Sequence, residues 1–465
     1  MPDDQPSAEP SRPRMALLQT VGTGGDKNPV WEALAKVTRE REPDLLYQLC
    51  SQITKEKTIP KFDSELSPEE LQRFERRIDT CPPEQEYQVG SLTTRYQKLI
   101  DQLRQEFPDI KIEADFTSGT KAMSAALFAA GISRQIDQLH YTTGPTDQTG
   151  RATRSDKVIT LVPVVLTTER RLEILARLFN VGQFQAVCLE TQELIKSLKS
   201  HADPSSDVRL LLYQAQTLRK IAEAYQKWDL FNWEGASHDL SKVMADESHD
   251  NRYSKAQWDL TRLKDQLSHL QQCKNCDPIH QMVDLYQNAR RCISRHAYDD
   301  AVARFYRLCE YLLQWRFADQ TGQKFPDETN IPTSQVRLDT LKERCPKLYQ
   351  DKKRIVRGST CKLGLQDTLR ALAEMHDPIA KHIHDRYGSP WVDNNQSGPL
   401  ANLLKHRNDS WLAHGFTPID EDKAKGFEGT FEQLFLEIKA DPCLREKINR
   451  AFDVTAFMKC PWGAR

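Results

Sequence analysis

The chain has 465 residues, enough at roughly 150 per domain for about three domains. Its 65 Lys and Arg offset 66 Asp and Glu, a formal net charge of −1, so attraction to nucleic acid or an anionic membrane must come from a local patch. Apolar residues make up 38% and Gly occupies only 19 positions, which argues against a turn-rich all-β chain and for helices around sizeable cores. The longest apolar runs fall far short of the ~20 residues that span a bilayer. The first 14 residues, MPDDQPSAEPSRPR, are Pro-rich and charged with no apolar h-region; they read as a disordered arm and not as a secretory signal. Eleven scattered cysteines, an odd number, do not read as a disulfide framework, and a reducing cytoplasm is the simplest compartment.

In chain order, MALLQTV at 15–21 is a short apolar run entering GTGGD, a buried strand followed by a Gly-rich turn. A helix is expected over 29–41, with Pro29 suited to its first turn, and a second strand over 44–50. A long polar insert rich in Glu and Pro occupies about 55–89, and a helix is expected over 92–107. Residues 110–116 (IKIEADF) alternate like a strand and run into TSGTK and an Ala-rich helix at 122–130. Strands at 138–143 and 157–165 close the region. Strands alternating with helices indicate an α/β domain with a parallel, doubly wound sheet over 15–168.

Beyond Thr168 the apolar residues take a helical period, as at Leu172, Leu175, Leu178 and Phe179, so 169–277 reads as a helical linker domain. The stretch 273–278 looks like a break, and 278–465 reads as all-helical. Within it Ala301, Phe305, Leu308, Leu312 and Trp315 recur at helical spacing, and NNQSGP at 394–399 is a loop.

Two turns sit at carboxyl ends of expected strands, where open α/β sheets bind ligands. Gly22, Gly24 and Gly25 would let backbone N–H groups approach a phosphate. In the second turn Thr117, Ser118 and Thr120 offer hydroxyls beside Gly119, and Lys121 places a cation at a helix N-terminus. The spacing matches neither GxGxxG nor GxxxxGK[ST], which disfavours a nicotinamide or P-loop site; the plainer alternative is two ordinary strand-to-helix turns. In RNDSWLAHG at 407–415, Arg407 and His414 are seven residues apart. On a continuous helix ending at Gly415 they would share one face about 10 Å apart along the axis, suited to flanking a phosphodiester. A phosphate-facing Arg with a titrating His is chemistry for strand cleavage without metal, although such a pair also arises at surface helix ends. Cys273 and Cys276 form a CxxC near His280, but no fourth zinc ligand is evident, so no metal site is expected. Residues 342–362 hold eight Lys or Arg against Glu343 and Asp351, a path for a nucleic-acid backbone or a solvated face.

Taken together, DFTSGTKAMSAAL at 115–127 resembles the signature of CARF domains, the CRISPR-associated Rossmann folds, and VGTGGD at 21–26 resembles their companion turn. RNDSWLAHG resembles the R-x4–6-H motif of HEPN ribonucleases, including the Asn after the Arg. This order is similar to the ancillary ribonucleases of type III CRISPR antiviral defence. Ser118 stands where many relatives have Gly, and the 55–89 insert departs from the pattern. The resemblance implies a Rossmann-like CARF domain, a helical linker and a C-terminal HEPN domain. It implies a homodimer whose paired CARF domains bind one cyclic oligoadenylate, with the tetra-adenylate favoured over the hexa-adenylate. The lining residues would be Thr23, Gly24, Gly25, Thr117, Ser118, Gly119, Thr120 and Lys121, with Ser51 and Gln52 as weaker candidates. It further implies metal-independent cleavage of single-stranded RNA by 2′-OH attack, leaving a 2′,3′-cyclic phosphate. In that scheme Arg407 stabilises the phosphate, His414 moves a proton and Asn408 orients the site. Two alternatives stay open: a signal-binding module whose HEPN half only dimerises, and a ring nuclease that degrades the cyclic oligoadenylate.

Overall fold

A computed structural model of the chain describes residues 15–24, 29–145, 157–199, 206–245, 258–323, 333–387 and 405–463. The expected N-terminal arm, Gly25 and the loop at 394–399 lie outside the described residues. Packing divides the chain into two units, residues 1–172 with 196–212, and residues 173–195 with 213–465.

The first unit is built on a six-stranded sheet ordered β3-β2-β1-β4-β5-β6. Its strands are β1 (Met15–Thr20), β2 (Leu45–Cys50), β3 (Glu75–Thr80), β4 (Lys111–Asp115), β5 (Gln138–Thr143) and β6 (Lys157–Leu161). Five run parallel, and β6 pairs antiparallel with β5. Alternate residues of β1 face two different cores, which is why its apolar run is continuous. Leu17 packs with Leu46 and with Trp31, Leu34 and Val37 of α1 (Val30–Arg41). Ala16 and Leu18 belong to the opposite core. That core also holds Leu92 and Tyr96, from the helix Val89–Glu106, and Met123 and Leu127, from the helix Lys121–Ser133. The chain order of strands reverses between β1 and β4, so the switch point of this sheet lies there.

One element was not foreseen and one expectation is corrected. Helix α2 (Gln52–Lys57) leads into the polar insert, which carries α3 (Ile59–Glu65), α4 (Pro68–Leu71) and the unforeseen edge strand β3. Strand β3 (ERRIDT) has little apolar content because no residue of it is fully buried; Arg76 pairs with Asp63 at 2.6 Å and Arg77 with Glu106 at 2.8 Å. Charged edges of this kind discourage pairing with other chains. The strand expected over 157–165 stops at Leu161 and runs antiparallel, so the sheet is mixed. Pro163 has no N–H for a ladder bond and instead opens the helix Pro163–Asn180.

Among its described residues the second unit is helical, apart from a two-stranded pair, Val336–Arg337 with Thr360–Cys361. The helices used below are Ser206–Asp229, Leu260–Lys274, Pro278–Ser294, Tyr298–Thr321 and Glu421–Ile438. Helix Pro278–Ser294 begins at the expected break. Asp277 accepts from the N–H groups of Ile279 and His280 at 3.1 Å each, and Pro278 occupies a first-turn position that needs no donor. The expected apolar stripe of Tyr298–Thr321 is buried from Ala301 through Leu312, with Trp315 half-buried at its end. Phe305 stacks on Phe431 of Glu421–Ile438 with ring centres 5.4 Å apart. Gly322 ends the helix in the left-handed conformation.

Candidate functional site

The turns after β1 and β4 meet at the switch point. The hydroxyl of Thr20 donates to the carbonyl of Ser118, and the Ser118 hydroxyl donates back to the carbonyl of Thr20 at 2.7 Å. The Gly22 N–H donates to the same Ser118 oxygen at 3.1 Å. A Cβ at Gly22 would lie 2.6 Å from the amide nitrogen of Gly119, and Gly119 itself has φ +102. Glycine at both positions is therefore a requirement of contact and of backbone conformation. Thr120 caps the helix Lys121–Ser133 by accepting from the Met123 N–H at 3.2 Å.

The insert holds both turns. Thr58, between α2 and α3, donates to the Gly22 carbonyl at 2.9 Å, and Thr120 donates to the Glu86 carbonyl at 3.1 Å. No feature of the sequence marked Thr58 or Glu86, because the Thr58 hydroxyl reaches a backbone carbonyl remote in the chain and Glu86 offers only its own backbone carbonyl.

The described residues expected to line a ligand differ in exposure. Thr23, Gly24, Gln52 and Lys121 are exposed, and Thr117, Gly119 and Thr120 are half-buried. Ser118 and Ser51 are buried, with hydroxyls committed to the fold: Ser118 as above, and Ser51 accepting from the Thr54 N–H as the cap of α2. The Thr117 hydroxyl donates to Asp115 at 2.5 Å and accepts from the Thr142 N–H at 2.8 Å. Thus Ser51, Thr117 and Ser118 shape the edge, while Thr23, Gly24 and Lys121 present groups to solvent.

Asp115 is fully buried below this edge. It accepts from the Thr117 N–H at 3.0 Å and from Gln19 at 3.2 Å. Burial pushes its carboxyl up to about 6, against the opposing effect of the Thr117 hydrogen bonds.

In the second unit residues 405–409 are helical, and the chain then turns. This corrects the expectation of one continuous helix from Arg407 to a stop at Gly415. The Gly415 N–H bonds to Ser410 at 3.2 Å, the His414 N–H to the Asn408 carbonyl at 3.1 Å, and the Thr417 N–H to the Asp409 carbonyl at 3.0 Å. The fold-back is so tight that a Cβ at Gly415 would lie 2.1 Å from the Asp409 oxygen. His414 therefore sits against Asn408, bonded to it through the backbone, and not at the end of a helix that runs on from Arg407.

The Arg407 guanidinium lies 4.3 Å from the ring centre of Tyr306, and one of its nitrogens donates to Asn408 at 3.0 Å. The ring face and the amide hold the charge in place. Tyr306 had no signal in the sequence, since it is one aromatic among several on Tyr298–Thr321. His414 and Asn408 are exposed, as are Trp411 at 58% and Phe416 at 94%. Of the basic stretch at 342–362, Lys352 pairs with Asp367 at 2.6 Å, and Arg354, Arg357 and Lys362 are exposed.

Residues 271–436, which include this motif, match the family described as the Csm6 HEPN domain. Among solved structures the chain is similar to Enterococcus italicus Csm6 bound to cyclic hexa-2′-fluoro-hexa-dAMP. The TM-score is 0.55 at 10% identity, over 95% of this chain and 99% of that one. It also matches Can2 from Sulfobacillus thermosulfidooxidans in complex with cyclic tetra-adenylate, with TM-score 0.21 and 13% identity, over 48% of this chain and 68% of that one. No curated protein matches the sequence. The fold shared with that Csm6 structure is a Rossmann-like sheet domain followed by a largely helical region, and the family match lies within the helical region.

A test of the edge follows from the buried carboxyl. Folded Asp115 retains its proton at pH values where the unfolded chain has lost it, so its contribution to stability falls as pH rises from about 4 through about 6. Relative to Asp115→Asn, the wild type should lose about 2 kcal/mol of unfolding free energy between about pH 4.5 and about pH 7.5. Denaturant titrations of both proteins at the two pH values check this, and a constant difference would show that Asp115 does not titrate in that window.

Proposed function

We propose that this chain is a CRISPR-associated endoribonuclease that cleaves single-stranded RNA when a cyclic oligoadenylate binds its CARF domain. The observation that carries the reading is the pairing of two turns at the sheet switch point with an Arg407–Asn408–His414 cluster inside a Csm6-type HEPN segment. The ligand reading is supported by Lys121 and the first-turn N–H groups of its helix, which offer positive potential to phosphates, and by the exposed Thr23 and Gly24 backbone.

The protein acts as a homodimer in this reading, with 169–277 as its helical linker domain. A two-fold ring asks for a two-fold groove, which isologous pairing supplies. Exposed Trp411, Leu412 and Phe416 beside the HEPN motif support pairing there as well, because an apolar flank of that kind gains by being covered. Two Arg407/His414 sets then share one cleft.

Cleavage proceeds by attack of a ribose 2′-oxygen on the adjacent phosphorus, with the bond to the 5′-oxygen breaking. Products are a 2′,3′-cyclic phosphate and a 5′-hydroxyl. The proton leaves the 2′-hydroxyl and one returns to the departing 5′-oxygen; His414 serves this transfer. Arg407, held by Tyr306 and Asn408, faces the charge that builds on the phosphoryl oxygens. No step requires a metal ion.

Labelled RNA incubated with the protein, with and without cyclic tetra- or hexa-adenylate, tests the reading. Cleavage only with a ring supports it. Loss of the ring without RNA cleavage would make the protein a ring nuclease, and binding without either reaction would make it a signal-binding module. His414→Ala should lower cleavage by about 10²–10⁴-fold with an unchanged melting curve and unchanged ring binding, and EDTA added at the start should leave the wild-type rate unchanged. Full activity of the variant would remove His414 from the mechanism.

Lys121→Ala should weaken ring binding by roughly ten- to a hundredfold, the loss of one charge-assisted contact of ~1.5–3 kcal/mol. RNA cleavage should then need more activator but reach a similar plateau, since an activator works by binding the active state better. An unchanged midpoint would place the sensor elsewhere.

A further inference from the structure

Helices Leu260–Lys274 and Pro278–Ser294 form a hairpin whose facing sides carry two pairs at four-residue spacing, His269 with Cys273 and His280 with Asp284. His269, Cys273 and Asp284 are all buried, and one ligand atom from each lies within 4.8 Å of the others. The Cys273 sulfur is 3.4 Å from His269 Nε2, and the same nitrogen is 4.0 Å from Asp284 Oδ1. Tetrahedral zinc, with bonds of ~2.3 Å to sulfur and ~2.0–2.1 Å to nitrogen, separates those two ligand atoms by about 3.6 Å. The cluster is thus close to ligating geometry before any metal enters.

The surroundings fit the same reading. His269 Nδ1 is 2.9 Å from His280 Nδ1, so with Nε2 on a metal, Nδ1–H donates to His280 and the ring is fixed by its neighbour. The Asp284 carboxylate is 0% exposed, and its hydrogen-bond donors are two neutral indoles, Trp228 to Oδ1 at 2.6 Å and Trp233 to Oδ2 at 2.7 Å. A buried carboxylate held by neutral donors calls for a nearby positive charge. In the plainer alternative, a set of polar side chains that merely satisfy one another, the Arg291 guanidinium acts on the carboxylate without a hydrogen bond to it among the described residues, burial keeps the His269 ring neutral, and the Asp284 carboxyl is still pushed up.

We propose that His269, Cys273 and Asp284 form a buried zinc site that staples the helical hairpin at the start of the HEPN segment. Sulfur, imidazole and carboxylate together select zinc over the hard cations. On binding, the Cys273 thiol gives its proton to solvent and its sulfur bonds the ion. The thiolate and carboxylate then neutralise the two positive charges, and a water completes the tetrahedron. Cys276, the other half of the CxxC, has its sulfur 3.8 Å from the Lys274 carbonyl and is not part of the cluster. The sequence pairing of Cys273 with Cys276 therefore pointed to the wrong partner: the ligands stand four residues before and eleven after Cys273.

Cobalt is the probe. The full chain, dialysed against chelator, is titrated with Co²⁺ and followed by absorption. One equivalent per chain should give the visible bands of tetrahedral cobalt with a thiolate-to-cobalt band, both abolished by Zn²⁺. Cys273→Ser should remove the thiolate band, His269→Gln should weaken binding at least tenfold, and Cys276→Ser should change neither. A wild-type chain that takes up no cobalt, or whose spectrum lacks the thiolate band, overturns the proposal whether or not the variants fold. Retention of that band in Cys273→Ser does the same.

Discussion

The backbone of Gly22 rests on that of Gly119 with no room for a Cβ between them, and the rest of the sheet edge is arranged around this contact. It requires the first and fourth strands to end at the same level, which their parallel pairing from Met15 opposite Lys111 to Gln19 opposite Asp115 provides. It also requires Ser118 to turn inward, where its hydroxyl ties Thr20 and Gly22 to one oxygen. With the side chains of Ser118 and Thr117 spent on the fold, the outward surface is left to backbone N–H groups, Thr23 and Lys121. A surface of that composition suits phosphates and riboses, which are recognised by donors and charge more than by apolar contact.

Much of the first unit was legible in the sequence because its central strands are buried on both faces. Burial on two sides leaves continuous apolar runs, as in MALLQT and LLYQLC, and these mark strands without reference to their partners. The signature at 115–127 was legible for a related reason, since a strand, a tight turn and a helix cap each demand particular residues. Strand β3 was hidden because an edge strand half in water keeps its charges and pairs them with Asp63 and Glu106 from other elements. The last strand was overextended because Val164 and Val165 continue an apolar run past Pro163. Val164 is buried all the same, but in a helix.

In the second unit, the residue types of the motif were legible and its shape was not. Spacing alone made Arg407 and His414 neighbours along a helix, whereas Gly415 folds back onto Asp409 and delivers His414 to Asn408 by backbone hydrogen bonds. Tyr306, which holds the Arg407 guanidinium, lies a hundred residues upstream, and only tertiary packing joins them. The His269, Cys273 and Asp284 cluster has the same character. Two helices must pack before four-residue spacings on each become one site.

Ring binding at paired sheet edges tests the central claim most directly. Calorimetric titration of cyclic tetra-adenylate, and separately hexa-adenylate, into the purified full chain should show one of them saturating at one ring per two chains. Saturation at one ring per chain would contradict a shared two-fold groove, and binding of neither ring would contradict the sensor itself.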